Sequence, residues 1–420
     1  MNGKRYLNGC DYLMLGFDHE LRRHGFAGNG CQIVLELGAS ISSSALEDRL
    51  TSLLYHYPIL NACPSGFLKP HWKISGKDGR GIAVRVHRND PLISQALLNE
   101  ALDIKEGELA RFDLIERAGQ GTKVIFTWAH PLMDALGAEH FLALVGRPDL
   151  PLPANEPPAP SSLPMPLKQR IKLAWKNLHQ LDSFCEAPPR GPGIRHPQAP
   201  ARLQYRVERF SAEETAIARA NGAKSCGVLG NAQFHAAVAM TELHRLHERL
   251  GCPSPSYVLP MPVGLRPKGT IDPLFSNQVG MLMLQFLPSH LGTVANAVAH
   301  LKIQTEQAMR EGLLESGRML SELFRFLPLP TYMAVLKQGL RGEICSLFYG
   351  DTAAVTPSLT TFLDAPIEDF AHVAALTPSP GLGSFFVISV VICASRFSTH
   401  PKCWMIPKPP SFRPAFALAC

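Results

Sequence analysis

The chain has no cysteines at C-x-x-C spacing, no apolar run long enough to cross a bilayer, no tandem repeat and, from Phe370 to Cys420, no aspartate or glutamate. The ten cysteines, Cys10, Cys31, Cys63, Cys185, Cys226, Cys252, Cys345, Cys393, Cys403 and Cys420, are scattered. This argues against a disulfide framework or a clustered metal site and for reduced thiols in a cytoplasmic protein. The most apolar late stretch, Phe385 to Ala394, is about half as long as a spanning helix must be. Met1 to Tyr12 carries charge without a following apolar segment, so no secretory signal is expected. Only 18% of the 420 residues are charged, and the net charge is +6. That mild basic excess can attract phosphates, an acidic partner or an anionic membrane surface, but it is too weak and diffuse for a nucleic-acid partner. With 46% apolar residues the chain is long enough to build two cores.

The most informative stretch is residues 124 to 137, Val-Ile-Phe-Thr-Trp-Ala-His-Pro-Leu-Met-Asp-Ala-Leu-Gly. An apolar, β-branched run delivers His130 into a proline-bearing turn, with Asp134 four residues on. A neutral imidazole there can take a proton from an alcohol, amine or thiol attacking an ester-like carbonyl, since its ordinary pKa near ~6.5 leaves it mostly unprotonated. On its own, His-x-x-x-Asp also fits a purely structural histidine.

Strand and helix signals alternate before and after this stretch. Cys31 to Leu37 reads as a strand, Ser43 to Tyr57 as a helix ended by Pro58, Ile82 to Val86 and Phe112 to Ile115 as short strands, and Gln120 to Thr122 as the turn into the strand that ends at His130. Ala138 to Val145 continues as a helix closed by Gly146. The first 150 residues form an α/β lobe. Residues 151 to 202 are a proline-rich linker around a helix at Leu167 to Phe184, which sets Lys168, Arg170, Lys172 and Lys176 among Ile171, Leu173, Trp175, Leu178 and Leu181. This helix either lies on an anionic membrane or packs on the second lobe with a wet basic face. Residues 203 to 395 form the second lobe. In it Tyr205 to Val207 reads as a strand, Ser211 and Glu214 as a capping box, Leu229 to Arg249 as a helix, Val258 to Val263 and Met281 to Phe286 as buried strands, and Val294 to Glu311 as a helix. His244 and His247 lie i,i+3, a spacing open to metal but better read as a wet helical face. No metal site is expected.

A second informative region is Pro260-Met261-Pro262-Val263-Gly264-Leu265-Arg266-Pro267-Lys268-Gly269, followed by Ser276-Asn277-Gln278-Val279-Gly280 and an apolar run ending Phe286-Leu287-Pro288. Together the two regions resemble the CoA-dependent acyltransferase superfamily, which includes chloramphenicol acetyltransferase, nonribosomal-peptide condensation domains and bacterial wax ester synthase/diacylglycerol acyltransferases. Ala129-His130-Pro131-Leu132-Met133-Asp134-Ala135 is similar to its HHxxxDG motif, and the downstream region to a "PV-x-LRP … N-x-x-G … LP" stretch, nearest the wax ester synthase/diacylglycerol acyltransferase branch. The similarity of layout runs from about Leu7 to about Ile388.

The resemblance implies an α/β, two-lobed chloramphenicol-acetyltransferase-like fold with an active-site tunnel between the lobes. It implies His130 as general base in acyl transfer from acyl-CoA, a cosubstrate rather than a bound cofactor, to a small-molecule alcohol or amine, with no covalent enzyme intermediate. An acyl carrier protein as donor, or a catalytically inactive binding protein, are the alternatives. A peripheral membrane contact is compatible with the lipid-handling branch. Asp134 is then a structural brace that pairs with an arginine, for which Arg266 is the candidate because a buried carboxylate needs a forked cationic partner; a solvated Arg266 is the other reading. Asn277 either donates to the developing oxyanion or positions the substrate, or forms a turn before a strand.

Three departures stand out. Ala129 replaces the first histidine of the motif. Ala135 replaces its glycine, a residue wanted there for positive φ or close approach, with Gly137 able to serve instead. Past the family-like stretch Pro378 to Phe386 the family's glycine-bearing hairpin and last helix are not evident. Residues 396 to 420 are an atypical tail, either frame-shifted or divergent, and Phe385 to Ile392 is expected to pair as one strand.

Overall fold

The computed structural model describes residues 3–393 apart from 67–68, 75–80, 89, 91, 118, 120, 153–164, 192–201, 228–229, 268, 339, 341, 353–358, 378–379 and 388–389. The atypical tail and residues 153–164 and 192–201 of the proline-rich linker lie outside the described residues. In chain order the first half contains β1 (Gly3–Tyr6), α1 (Gly9–Arg23), β2 (Gly30–Leu37), α2 (Ser43–His56), β3 (Ala62–Ser65), β4 (His71–Ile74), β5 (Ala83–Arg88), α3 (Ile93–Leu98), β6 (Ala110–Arg117), β7 (Gly121–Ala129), α4 (Ala135–Gly146) and α5 (Leu167–Ser183). The second half contains β8 (Arg206–Glu208), α6 (Ala212–Cys226), α7 (Gly230–Arg249), β9 (Tyr257–Gly264), β10 (Val279–Phe286), α8 (Val294–Arg310), α9 (Leu313–Phe324), α10 (Leu329–Gln338), β11 (Phe348–Asp351), β12 (Thr361–Phe362), β13 (Ala365–Val373), β14 (Gly383–Val387) and β15 (Val390–Cys393).

The main sheet has the order β12-β13-β2-β7-β6-β5, which places β7 near its middle, antiparallel to both β2 and β6. Val124, Phe126 and Trp128 of β7 enter one core and Ile125 another. Both faces of the strand are covered, so its sequence is continuously apolar instead of alternating. Phe126 stacks on Phe112 at 4.7 Å and meets Phe141 of α4 at 5.6 Å. The second lobe has its own core, in which Phe234 and Leu243 of α7 pack with Tyr257, Leu284, Phe286 and Leu301. The loop between β9 and β10 leaves that lobe and inserts Leu274 and Phe275 into the core of the first, with Phe275 5.9 Å from Phe141. The strap that carries Asn277 is thereby anchored in the lobe that carries His130.

Several sequence expectations require correction. Gly121 and Thr122 belong to β7 rather than to the turn before it. The division at residue 203 does not follow the sheets: β12 and β13 complete the first lobe's sheet, with Phe370 opposite Leu35 and Val373 opposite Gln32, a long-range pairing that no local pattern encodes. Phe385 to Ile392 is not one strand but parts of two, β14 and β15, paired antiparallel with Val387 opposite Val390. His247 is buried, not wet: its Nδ1 lies 2.8 Å from the Cys252 carbonyl, and its ring and that of His244 pack edge-on to Tyr257.

Gly121 opens β7 with φ of +81°, and a Cβ there would lie 2.1 Å from the Leu37 carbonyl oxygen. Positive φ and overpacking each cost an ordinary residue on the order of 1–3 kcal/mol. Gly121→Ala should therefore lower the unfolding free energy by about 2–4 kcal/mol in denaturant titration; a variant as stable as the parent would show that the start of β7 is not under this constraint.

Candidate active site

His130 sits one residue past β7, at the end of a strand held on both sides. Its backbone N–H donates to the Asn29 carbonyl at 3.0 Å, and Asn29 is itself held by the Asp18 carboxylate and the Met14 carbonyl of α1. Behind it, the Leu132 N–H donates to Ala129 O at 2.9 Å and Trp128 Nε1 donates to Met133 O at 3.0 Å, which fixes the turn. His130 Nδ1 is sealed from solvent, and no hydrogen bond of full geometry reaches it among the described residues. The His130 ring borders the adjoining cavity. Burial, the largest influence, pushes the His130 pKa below its usual 6.5; backbone oxygens of His130 and Met133, the Asp134 carboxylate and the Asn277 side chain pull the other way without overcoming it.

Asp134 is the N-cap of α4. Its Oδ1 accepts from Gly137 N at 2.9 Å, and its Oδ2 accepts from Arg266 Nη1 at 2.6 Å and from Gln278 N at 2.9 Å. With side chains 5% and 6% exposed, Asp134 and Arg266 form a buried pair in which every carboxylate oxygen is engaged. The rest of the guanidinium is directed at the Ile271, Pro273 and Ser276 carbonyls. Arg266 is therefore neither solvated nor available to a substrate.

Asn277 is also spent. Its Nδ2 donates to the His130 carbonyl at 2.9 Å and to Asp11 Oδ1 at 3.0 Å, so both amide hydrogens are used, and its backbone N–H donates to Asp11 Oδ1 at 2.7 Å. The expectation of an oxyanion donor is corrected: Asn277 ties the base's backbone to the first helix.

The residues that the motifs did not single out are Asn8 and Asp11. They form the capping box of α1, and Asn8 Nδ2 reaches Ser276 Oγ at 2.9 Å and Asn277 O at 3.1 Å. Burial pushes the Asp11 pKa up to about 6, against the hydrogen bonds from Asn277 and Asn8. The Asn-x-x-Asp spacing was visible as a helix start, but its second use by a loop more than 260 residues away had no local signal. Cys10 beside it lines the cavity, but burial holds its thiol firmly protonated and so unfit as a nucleophile.

Of the motif departures, Ala135 does not need positive φ, because it is simply the first residue of α4. Gly137 carries the close approach instead: a Cβ there would lie 2.6 Å from Leu274 O. Ala129 is buried at the end of β7.

His130, Asp134, Arg266 and Asn277 all border one cavity of about 2050 Å³, lined from both lobes, including Trp128 and Glu139 from the first and Met281, Gly317 and Asp351 from the second. Within it Glu139 Oε1 lies 2.8 Å from His372 Nε2, a buried polar pair on the α4 side.

No family model matches the sequence, and no curated protein matches it. Solved structures do match. Trichothecene 15-O-acetyltransferase from Fusarium sporotrichioides is similar over 100% of this chain and 96% of its own, with 13% identity and a TM-score of 0.71. The condensation domain of the monacolin K polyketide synthase is similar over 99% and 96%, with 13% identity and a TM-score of 0.62. This is the two-lobed fold of condensation and acetyltransferase domains. Polyketide synthase associated protein 5 from Mycobacterium tuberculosis shares it, at 16% identity over 99% and 96% of the chains and a TM-score of 0.63.

Removing one partner of a buried ion pair typically costs about 3–5 kcal/mol. Asp134→Ala should lower stability by about that much in denaturant titration; an unchanged midpoint and slope would show that the pair does not hold the lobes' junction.

Proposed function

We propose that the chain is an acyltransferase that moves an acyl group from acyl-CoA to an alcohol or amine, with His130 as general base. The observation that carries this reading is the imidazole itself: desolvated, closed at Nδ1 and set at the edge of a cavity with walls from both lobes. A neutral Nε2 accepts the acceptor's proton as its oxygen or nitrogen attacks the thioester carbonyl. The tetrahedral intermediate then collapses, the carbon–sulfur bond breaks, and the imidazolium returns the proton to the departing thiolate. Asp134 takes no part in proton transfer, because Arg266, Gln278 and Gly137 saturate it. The cavity walls are largely apolar, among them Leu13, Leu178, Met281, Phe324 and Leu376. They suit an apolar acyl chain or acceptor, which fits the wax ester synthase and diacylglycerol acyltransferase branch suggested by the motifs. The fold shared with condensation domains favours a second reading, in which a carrier protein presents the acyl thioester.

A positioned base typically contributes ~10²–10⁴-fold to rate. His130→Ala should reduce thiol release from acyl-CoA by about that factor with an unchanged melting temperature; full activity in the variant would remove His130 from the mechanism. Transfer only from a carrier-bound thioester would replace the first reading by the second.

The lowered pKa of His130 has a definite sign. The neutral form is the base, so lowering the pKa keeps the base competent to more acidic pH. The acidic limb of kcat/KM should fall with a midpoint below 6.5; a midpoint above that value would mean that a carboxylate, not burial, governs the ring.

A further inference from the structure

α5 packs on α9 through a buried strip that includes Ala174 and Asn177, with Asn177 against Gly317. Along one flank of that strip it exposes Leu167 (61%), Ile171 (42%) and Trp175 (59%). At four-residue spacing these form one ridge about 12 Å long. Beside the ridge, one position further round the helix, run Lys168, Lys172 and Lys176. Lys176 is held by Glu311. Lys168 and Lys172 are exposed and make no ion pair with any described residue.

From this geometry we propose that α5 docks on a bilayer surface that contains anionic lipid. The apolar ridge enters the boundary of headgroups and acyl chains, and the two free lysines meet the headgroup phosphates. The charge pattern selects an anionic surface. Three large apolar side chains in one exposed line call for an apolar phase, where an acidic folded partner would engage chiefly the lysines. The ridge also has a direction. Trp175 and Leu178, its continuation, line the cavity that holds His130, so the docked face opens the cavity toward the membrane. On the acyltransferase reading, the site can then be loaded with an acceptor or acyl chain dissolved in the bilayer; the docking itself does not depend on that reading.

The test is co-sedimentation of the full chain with vesicles of phosphatidylcholine mixed with phosphatidylglycerol, and with vesicles of phosphatidylcholine alone. The chain should pellet with the mixed vesicles, less with the neutral ones and less at high salt. Burial of one large apolar side chain is worth roughly tenfold or more in partitioning. Leu167→Glu/Ile171→Glu should therefore cut binding by more than about tenfold, and Lys168→Glu/Lys172→Glu should abolish the preference for anionic lipid. Both variants should melt as the parent does and release thiol from soluble acyl-CoA and acceptor at its rate, which separates failure of docking from failure of the chemistry. A chain that stays in the supernatant with mixed vesicles overturns the proposal, and so does a Leu167→Glu/Ile171→Glu variant that pellets like the parent. Retention instead on an immobilised acyl carrier protein would assign the face to that partner.

Discussion

A carboxylate buried where two lobes meet cannot be left alone, and much of the arrangement around His130 follows from satisfying Asp134. Taking an ionised group out of water is tolerated only with a charged partner and further hydrogen bonds. Here the partner, Arg266, comes from the loop after β9, and Gln278 just before β10 supplies the second donor. Both belong to the strap whose Leu274 and Phe275 insert into the first lobe's core. Ion pair and apolar plug therefore act at the same junction. Because Asp134 is also the N-cap of α4, helix, turn and strap are fixed together, and His130 lies four residues upstream of the cap.

A second buried carboxylate, Asp11, does the corresponding work on the other side of the base. It accepts from the backbone and the side chain of Asn277, whose remaining amide hydrogen holds the His130 carbonyl. The polar groups near the base are thus consumed in positioning. What remains is a buried imidazole at the cavity wall, with Nδ1 closed. Burial favours its neutral form, which is the form a general base requires.

Much of this was legible in the sequence where the signal is local. The apolar run into His130, the helix that starts at Ser43, the capping box at Ser211 and Glu214 and the strands at β9 and β10 follow from periodicity and end signals. The resemblance pointed to Arg266 for Asp134, and the two side chains do meet. Asn277 was found as a residue but not in its role, because an amide's partners depend on which distant acceptor arrives; here that acceptor is Asp11, at the start of the chain. The insertion of β13 beside β2 was hidden for the same reason, since β2 reads as a strand with nothing in it to name its partner and only the closed sheet pairs the two. The exposed ridge on α5 was half visible: the sequence shows apolar and basic residues on one helix, and packing against α9 decides which of the apolar ones stay outside.

The central claim is that His130 is held neutral with its lone pair on Nε2, the nitrogen that the proposed reaction uses, and it can be tested without knowing the substrate. Nitrogen NMR of protein labelled at histidine, with the His130 signals assigned by difference from His130→Gln, reports which ring nitrogen carries the proton and at what pH the second is gained. The account predicts a proton on Nδ1 at neutral pH and a titration midpoint below 6.5. A ring protonated at Nε2 at neutral pH, or one that gains its second proton above 6.5, would contradict it.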